Sequence, residues 1–156
     1  MSELILVHLI EKRPMGSELG KIIPLHMTAL HWFETALSPN EVAKIVQETL
    51  HTIGAMKVRT TTEDMFGPDK DVPVMRLERT PELLHLHVAL VAAMQQVGAK
   101  FDERWTGEQN WNPHVTHKLG TRLYPDEEVF IRDIDLISRP SEHESRRIEY
   151  RFGLLT

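Results

Sequence analysis

The chain has 156 residues, a size typical of one domain, and we expect a single domain over residues 1–156. It contains no cysteine, which excludes a disulfide scaffold, cysteine-ligated zinc or iron–sulfur clusters, and thiol catalysis. Its 23 acidic and 18 basic side chains give a formal net charge of -5, whereas proteins that bind long nucleic acids carry a basic surface. We therefore expect no long double-stranded nucleic acid as a partner.

Near its start the chain has an apolar run, residues 4–10, which is interrupted by His8, and residues 3–10 are predicted as an opening strand. The run is too short to span a membrane and lacks the basic flank of a signal peptide. We therefore expect a cytoplasmic protein with no membrane partner. Residues 12–20 follow as a predicted loop, because they contain one proline and two glycines.

Two short segments each place a histidine two residues before a threonine in a strand-like run: His26 with Thr28, and His114 with Thr116. Residues i and i+2 of a strand share a face, so each pair points in one direction. If the two strands are neighbours, two imidazoles and two hydroxyls share one space. Imidazoles can act as general base and general acid near neutral pH, and hydroxyls can donate to phosphate oxygens. This set of groups suits phosphodiester cleavage without a metal.

Two helices are predicted between the strands. Ser38 and Glu41 form a capping box at the start of the first, and Gly54 ends it. The second helix begins at Thr80 and ends at Gly98.

The remaining apolar runs predict strands, and Pro73 favours an edge position for the strand that contains it. In each half of the chain, the motif strand is followed by a pair of strands, so we expect a duplicated unit with pseudo-two-fold symmetry. The predicted strands after the opening one are residues 25–33, 56–66, 72–78, 114–119, 128–139 and 146–155.

Two His-x-Thr-x tetrads in a small chain without cysteine resemble the 2H phosphoesterase superfamily, in particular its 2′-5′ RNA ligase and cyclic phosphodiesterase group. The resemblance implies a bilobal α+β fold, in which two antiparallel sheets flank a central cleft and the helices lie outside. It also implies a hydrolase without metal or cofactor that opens 2′,3′-cyclic phosphate or 2′-5′ phosphodiester bonds in RNA ends or small nucleotides. Its catalytic residues are then His26, Thr28, His114 and Thr116. The fourth position of such a tetrad is usually apolar, but in the second motif it is His117. We expect His117 to face away from the cleft.

Three further side chains are candidates for substrate binding, each with a structural alternative. Lys118 shares a face with His114 and Thr116, although it can equally be a solvated lysine at a strand end. Trp32 shares the face of His26 and can stack on a base, with core packing as the alternative. Trp111 lies with Trp105 in the predicted loop of residues 101–112, where one ring can hold a base and the other can anchor the loop.

The other histidines suggest structural roles. His85 and His87 lie two residues apart on a helix, so they do not share a face and are poor joint metal ligands. In a regular strand, His31 would not point to the catalytic face.

Two further functions stay open: a nucleotide-binding module without catalysis, and the same chemistry on a non-RNA cyclic phosphate. The sequence leaves open which histidine is the acid, the physiological substrate, the reaction direction and the oligomeric state.

Overall fold

The structure is a computed structural model that describes residues 1–118, 120–141 and 143–156. In this part of the chain, α1 is Pro39–Leu50 and α2 is Pro81–Gln95. The strands are β1 Ser2–Leu9, β2 Glu18–Gly20, β3 His26–Thr35, β4 Met56–Phe66, β5 Val72–Leu77, β6 His114–Thr116, β7 Glu128–Ile131, β8 Asp133–Arg139 and β9 Arg146–Gly153.

All strands belong to one antiparallel sheet in the order β2-β9-β8-β1-β3-β6-β5-β4-β7. The predicted α+β class is confirmed. The two predicted sheets are joined into this one sheet because the motif strands β3 and β6 pair directly, with Met27 opposite Val115. The second motif strand was predicted to reach Leu119, which lies outside the described residues; β6 ends at Thr116.

The hairpin that follows each motif strand lies on the other side of the sheet, beyond the other motif strand. The β4–β5 hairpin follows β3 in sequence but pairs with β6, where Met75 lies opposite Val115. The β8–β9 hairpin follows β6 but pairs with β1 on the side of β3, where Ile5 lies opposite Ile137. The predicted strand over residues 128–139 is therefore split at Arg132: β7 joins one half of the sheet and β8 joins the other.

Pro73 does not lie in an edge strand, so that prediction is wrong: β5 lies between β6 and β4. Proline is tolerated there because Pro73 lies just before the β5–β6 pairing, which begins at Val74. Its carbonyl accepts from the N–H of His117, just beyond β6, at 3.0 Å. The missing N–H of the proline therefore removes only a terminal bond.

Both helices pack on the same face of the sheet. The predicted capping box is present: the N–H of Glu41 donates to Ser38 Oγ at 3.2 Å, and the N–H of Ser38 donates to Glu41 Oε1 at 3.1 Å. Side chains of both helices share the main core with β1, β3, β6 and β8, through residues such as Leu86, Met27 and Val115. The helices therefore leave the opposite face of β3 and β6 open.

That opposite face is partly covered by the loop of residues 10–25, which connects β1 to β3 and includes the short strand β2. Ile23 of the loop joins a smaller apolar cluster with Val7 of β1 and neighbouring strand residues. A buried ion pair holds the loop, because Arg151 donates to both carboxylate oxygens of Asp135 at 2.7 and 2.8 Å and to the carbonyl of Arg13 at 2.6 Å. Asp135 is fully buried.

Replacing Arg151 should therefore destabilise the fold. Arg151→Met leaves the Asp135 carboxylate buried without its counter-charge, which costs about 3–5 kcal/mol of unfolding free energy when one partner of a buried pair is removed. Urea unfolding measures this loss. The double variant Asp135→Leu/Arg151→Met is the matched control and should recover most of it. A loss below about 1 kcal/mol in the single variant, the range of exposed pairs, would show that the pair is not buried in solution.

Candidate active site

The four motif side chains lie on the open face of the sheet. Continuing the antiparallel register from Met27 and Val115 puts His26 opposite Thr116 and Thr28 opposite His114. All four line one cavity of about 280 Å³, which we call the histidine cavity. Its other described lining residues are Ile5, Lys21, Ile22, Ile23, His31, Trp32, Lys118 and Arg146.

The two motif histidines are anchored in the same way. Nδ1 of His26 lies 2.8 Å from the carbonyl oxygen of Pro24, and Nδ1 of His114 lies 2.7 Å from that of Asn112. A carbonyl can only accept, so Nδ1 of each ring carries the hydrogen and donates it. In the neutral rings, Nε2 is therefore left with a free lone pair, which is the form that accepts a proton in general-base catalysis.

Both rings are neutral at pH 7 in the free protein. Burial lowers the pKa of His26 to about 4, and the positive charges of Lys118 and His114 act in the same direction, while the Pro24 hydrogen bond opposes them. Burial also lowers the pKa of His114, and the charge of Arg76 adds to this effect against the Asn112 hydrogen bond. A bound phosphate would raise both pKa values, because its negative charge favours imidazolium.

The groups beside the histidines are suited to an anion. Among the described residues, the hydroxyls of Thr28 and Thr116 have no hydrogen-bond partner, so both can donate to a ligand in the cavity. Lys118 lines the same cavity as predicted, and burial lowers the pKa of its ammonium group. Hydroxyl and ammonium donors around two imidazoles match the oxygens of a phosphoryl group.

A second cavity of about 330 Å³, which we call the aromatic cavity, adjoins the first. The two share Thr28, His31 and His114. The other walls come from the β4–β5 hairpin and from the loop before β6. These are Met65, Phe66, Gly67, Lys70, Arg104, Trp105, Asn110, Trp111 and Asn112. His114 therefore stands between a polar and an aromatic compartment.

His31 lines both cavities, so the prediction that it falls off this face is wrong. Strand β3 has two more residues than β1 over the paired stretch: Thr28 lies opposite Val7, but Phe33 lies opposite Leu4. These register shifts are β-bulges, which break the two-residue alternation. Both Ala29 and Leu30 consequently enter the core, and His31 emerges beside the motif histidines. Burial and the charge of His114 lower its pKa.

Trp111 is 5% exposed and lies in the core beside the aromatic cavity. Its ring stacks on His87, with centroids 4.4 Å apart and planes 3° from parallel, and its Nε1 donates to the carbonyl of Thr28 at 3.3 Å. One face of this ring is therefore occupied by protein. Trp105 is the exposed member of the loop pair, at 38%, and its ring is covered on one side by the guanidinium of Arg104, 4.6 Å away.

Trp32 lies at the border of the histidine cavity, as the shared face with His26 predicted. Its ring carries the guanidinium of Arg139 at 3.9 Å from the centroid and that of Arg146 at 5.7 Å. These cation–π contacts fix the ring at the cationic end of the cavity.

Phe66 and Arg76 support His114, and sequence reasoning missed both. The ring of Phe66 meets the imidazole edge-on with centroids 4.7 Å apart, and Arg76 pairs with His114 across β5 and β6. Arg76 also lies over Phe66 at 5.0 Å and donates to Asp64 at 2.7 Å. No local pattern marks these residues, because their contacts depend on which hairpin pairs with β6.

His87 ties the loop to the bulge of β3. Its Nδ1–H donates to the carbonyl of Ala29 at 2.7 Å, and its Nε2 accepts from the N–H of Gly107 at 2.9 Å. Both ring nitrogens of His87 are therefore used, and burial lowers its pKa, so the ring is neutral.

Across residues 1–118, 120–141 and 143–156, no group of three or more histidines and carboxylates is arranged to hold a metal ion. No helix in the same part of the chain is long and apolar enough to cross a membrane.

The fold and the paired His-x-Thr strands are those of the 2H phosphoesterase class. The family model of the 2′-5′ RNA ligase superfamily matches residues 16–134, and the chain belongs to that superfamily. The resemblance noted from the two tetrads is thereby confirmed. A search of curated proteins finds no match.

Solved structures share the fold at low identity. The protein TT0787 of Thermus thermophilus has a TM-score of 0.67 at 15% identity, with 97% of each chain covered. Crystal structures of a phosphoesterase, with 99% of each chain covered, and of E. coli LigT with NADP+, with 99% of this chain and 98% of LigT covered, give TM-scores of 0.64 and 0.63 at 12% identity. LigT has also been crystallised with 3′-AMP, phosphate and ATP.

The His87 contacts predict a stability effect that separates stacking from hydrogen bonding. His87→Phe keeps a ring against Trp111 but leaves the Ala29 carbonyl and the Gly107 N–H unpaired, at about 1–3 kcal/mol for each buried group. His87→Gln can donate to one and accept from the other, so it should lose less. Urea unfolding compares the three proteins. Equal stability of wild type and His87→Phe would contradict this role.

Proposed function

We propose that the chain is a phosphodiesterase that opens 2′,3′-cyclic phosphate or 2′-5′ phosphodiester bonds in RNA ends or small nucleotides, using His26 and His114 as base and acid. The observation that carries the proposal is the histidine cavity, in which two imidazoles with free Nε2 atoms face two hydroxyls without protein partners among the described residues. The phosphate and 3′-AMP complexes of LigT support it, because that protein has the same fold.

The hydrolytic step follows from the state of the two rings. Burial and the charge of Lys118 keep Nε2 of His26 unprotonated, so His26 takes a proton from water as the water oxygen bonds to phosphorus. His114, protonated once the anionic substrate is bound, gives its Nε2 proton to the ribose oxygen as the phosphorus–oxygen bond breaks. The product is a phosphomonoester. In the ligation direction the two roles exchange.

The remaining groups stabilise the charge that develops on phosphorus. We assign Thr28 and Thr116 to the two non-bridging oxygens, since each hydroxyl is adjacent to the histidine of the opposite motif. Lys118 adds positive charge on the side of His26. The aromatic cavity, with Phe66 and the exposed Trp105, accepts the base of the substrate on the side of His114.

The experiment compares two substrates in chelator-containing buffer. With 2′,3′-cyclic AMP, His26→Ala and His114→Ala should each lower turnover by roughly 10²–10⁴-fold, the range for losing a general acid or base. An aryl phosphodiester that releases p-nitrophenolate needs little help from an acid, so His114→Ala should recover most of the wild-type rate on it. His26→Ala should stay impaired. His51→Ala, on the exposed end of α1, is the matched control and should behave as wild type.

Each alternative has its own outcome. Wild-type turnover of 2′,3′-cyclic AMP by either single variant would reject the two-histidine mechanism. If only His26→Ala recovered its rate on the aryl phosphodiester, the assigned roles of base and acid would be reversed. Binding of 3′-AMP by a wild-type protein that turns over neither substrate would point to a binding module. Turnover of the aryl ester by a wild-type protein that does not turn over 2′,3′-cyclic AMP would point to a non-RNA cyclic phosphate.

A further inference from the structure

The histidine cavity carries more positive charge than a single phosphate requires. Lys21, Lys118 and Arg146 all line it, and none of its described lining residues is acidic. The chain as a whole has a formal net charge of -5, so this concentration of cations runs against the overall balance. A site built for one monoanionic diester already has two hydroxyls and Lys118 as donors. Lys21 and Arg146 are additional.

The two lysines of this cavity have no carboxylate partner among the described residues. Within the described chain, neither Lys21 nor Lys118 forms an ion pair, and burial of Lys118 disfavours its charge by lowering its pKa. A ligand anion would remove that cost. Several arginines elsewhere are paired, as in Arg76 with Asp64 at 2.6 Å, Arg139 with Glu3 at 3.2 Å and Arg151 with Asp135 at 2.7 Å.

The fold places Lys21 beside Arg146 rather than leaving it on a distant loop. Gly20 of β2 pairs with Arg146 of β9, and its N–H donates to Ser145 Oγ at 3.1 Å. The φ angle of Gly20 is +70°, a backbone conformation that glycine adopts without strain, and Lys21 follows directly. The Arg151 contact to the carbonyl of Arg13 holds the same loop against the sheet.

We propose that the end of the histidine cavity formed by Lys21, Lys118 and Arg146 is a subsite for a second phosphate group of the substrate. This inference rests on the proposed function, since it places the scissile phosphate between His26 and His114. The aromatic cavity lies beyond His114, so the cationic end is the direction left for further phosphate. The preferred substrate is then a cyclic phosphate that carries a second phosphate, either a 5′-phosphomonoester or the adjoining internucleotide diester of an RNA end.

The test compares kcat/KM for three substrates: 2′,3′-cyclic AMP, the same nucleotide with a 5′-phosphate, and the dinucleotide ApA ending in a 2′,3′-cyclic phosphate. Wild-type protein should prefer one or both substrates that carry a second phosphate by roughly ten- to a hundredfold, the effect of one charge-assisted contact. Lys21→Ala should remove that preference while leaving the turnover of 2′,3′-cyclic AMP unchanged. Lys44→Ala on the exposed face of α1 has the same net charge as Lys21→Ala and should keep the preference.

The substrate arms identify the source of the second phosphate. A gain restricted to the 5′-phosphorylated nucleotide supports a small nucleotide, whereas a gain with the dinucleotide supports an RNA end. Equal kcat/KM for all three substrates, or a preference that survives Lys21→Ala, would overturn the subsite.

A binding measurement separates this inference from the proposed function. If wild-type protein turns over none of the three, calorimetry with 3′-AMP and adenosine 3′,5′-bisphosphate still tests the subsite. The bisphosphate should bind wild type roughly ten- to a hundredfold more tightly than 3′-AMP, and Lys21→Ala should bind both equally. Equal affinity in the wild type would reject the second phosphate site without reference to catalysis.

Discussion

The antiparallel pairing of β3 with β6 is the constraint on which the rest of the structure depends. One residue pair, Met27 opposite Val115, sets the register, and both side chains are buried against the helices. Because strand side chains alternate, this fixes the motif histidines and threonines on the other face. A shift of one strand by one residue would turn the histidine and threonine of that motif into the apolar core. The exchange of hairpins holds β6 in this register, since both of its neighbours, β3 and β5, come from the first half of the chain.

Much of this was predictable from the sequence because it depends on short-range periodicity. The shared face of His26 with Thr28, the capping box at Ser38 and the α+β class all follow from local spacing. His31 could not be placed correctly, because a bulge in β3 depends on the residue count of its partner β1. The edge assignment of Pro73 failed for a similar reason, since strand neighbours are set by tertiary pairing. The stack of His87 on Trp111 joins two segments with no common pattern.

Burial of ionisable groups links the fold to the site. His26, His114 and His87 are all kept neutral by burial, yet only His87 has both nitrogens bound by backbone. The two motif rings use Nδ1 for anchoring and keep Nε2 for a ligand. His87, with both ring nitrogens hydrogen-bonded, therefore holds the loop. His26 and His114 each have one ring nitrogen without a hydrogen bond to the described residues, which leaves it available to exchange protons. The structural histidine and the two histidines proposed as catalytic therefore differ in the second ring nitrogen.

The most direct test of this account is an NMR pH titration of the histidine ring protons, with and without 3′-AMP. In the free protein, His26 should titrate with a pKa of about 4 and His114 below its ordinary 6.5, because the folded state disfavours both imidazolium ions. Stability should accordingly fall as the pH drops below about 6.5, where the unfolded chain binds more protons. Bound 3′-AMP should raise both pKa values, because its negative charge favours imidazolium. Ordinary titration of both motif histidines, unmoved by the nucleotide, would contradict a phosphate site between them.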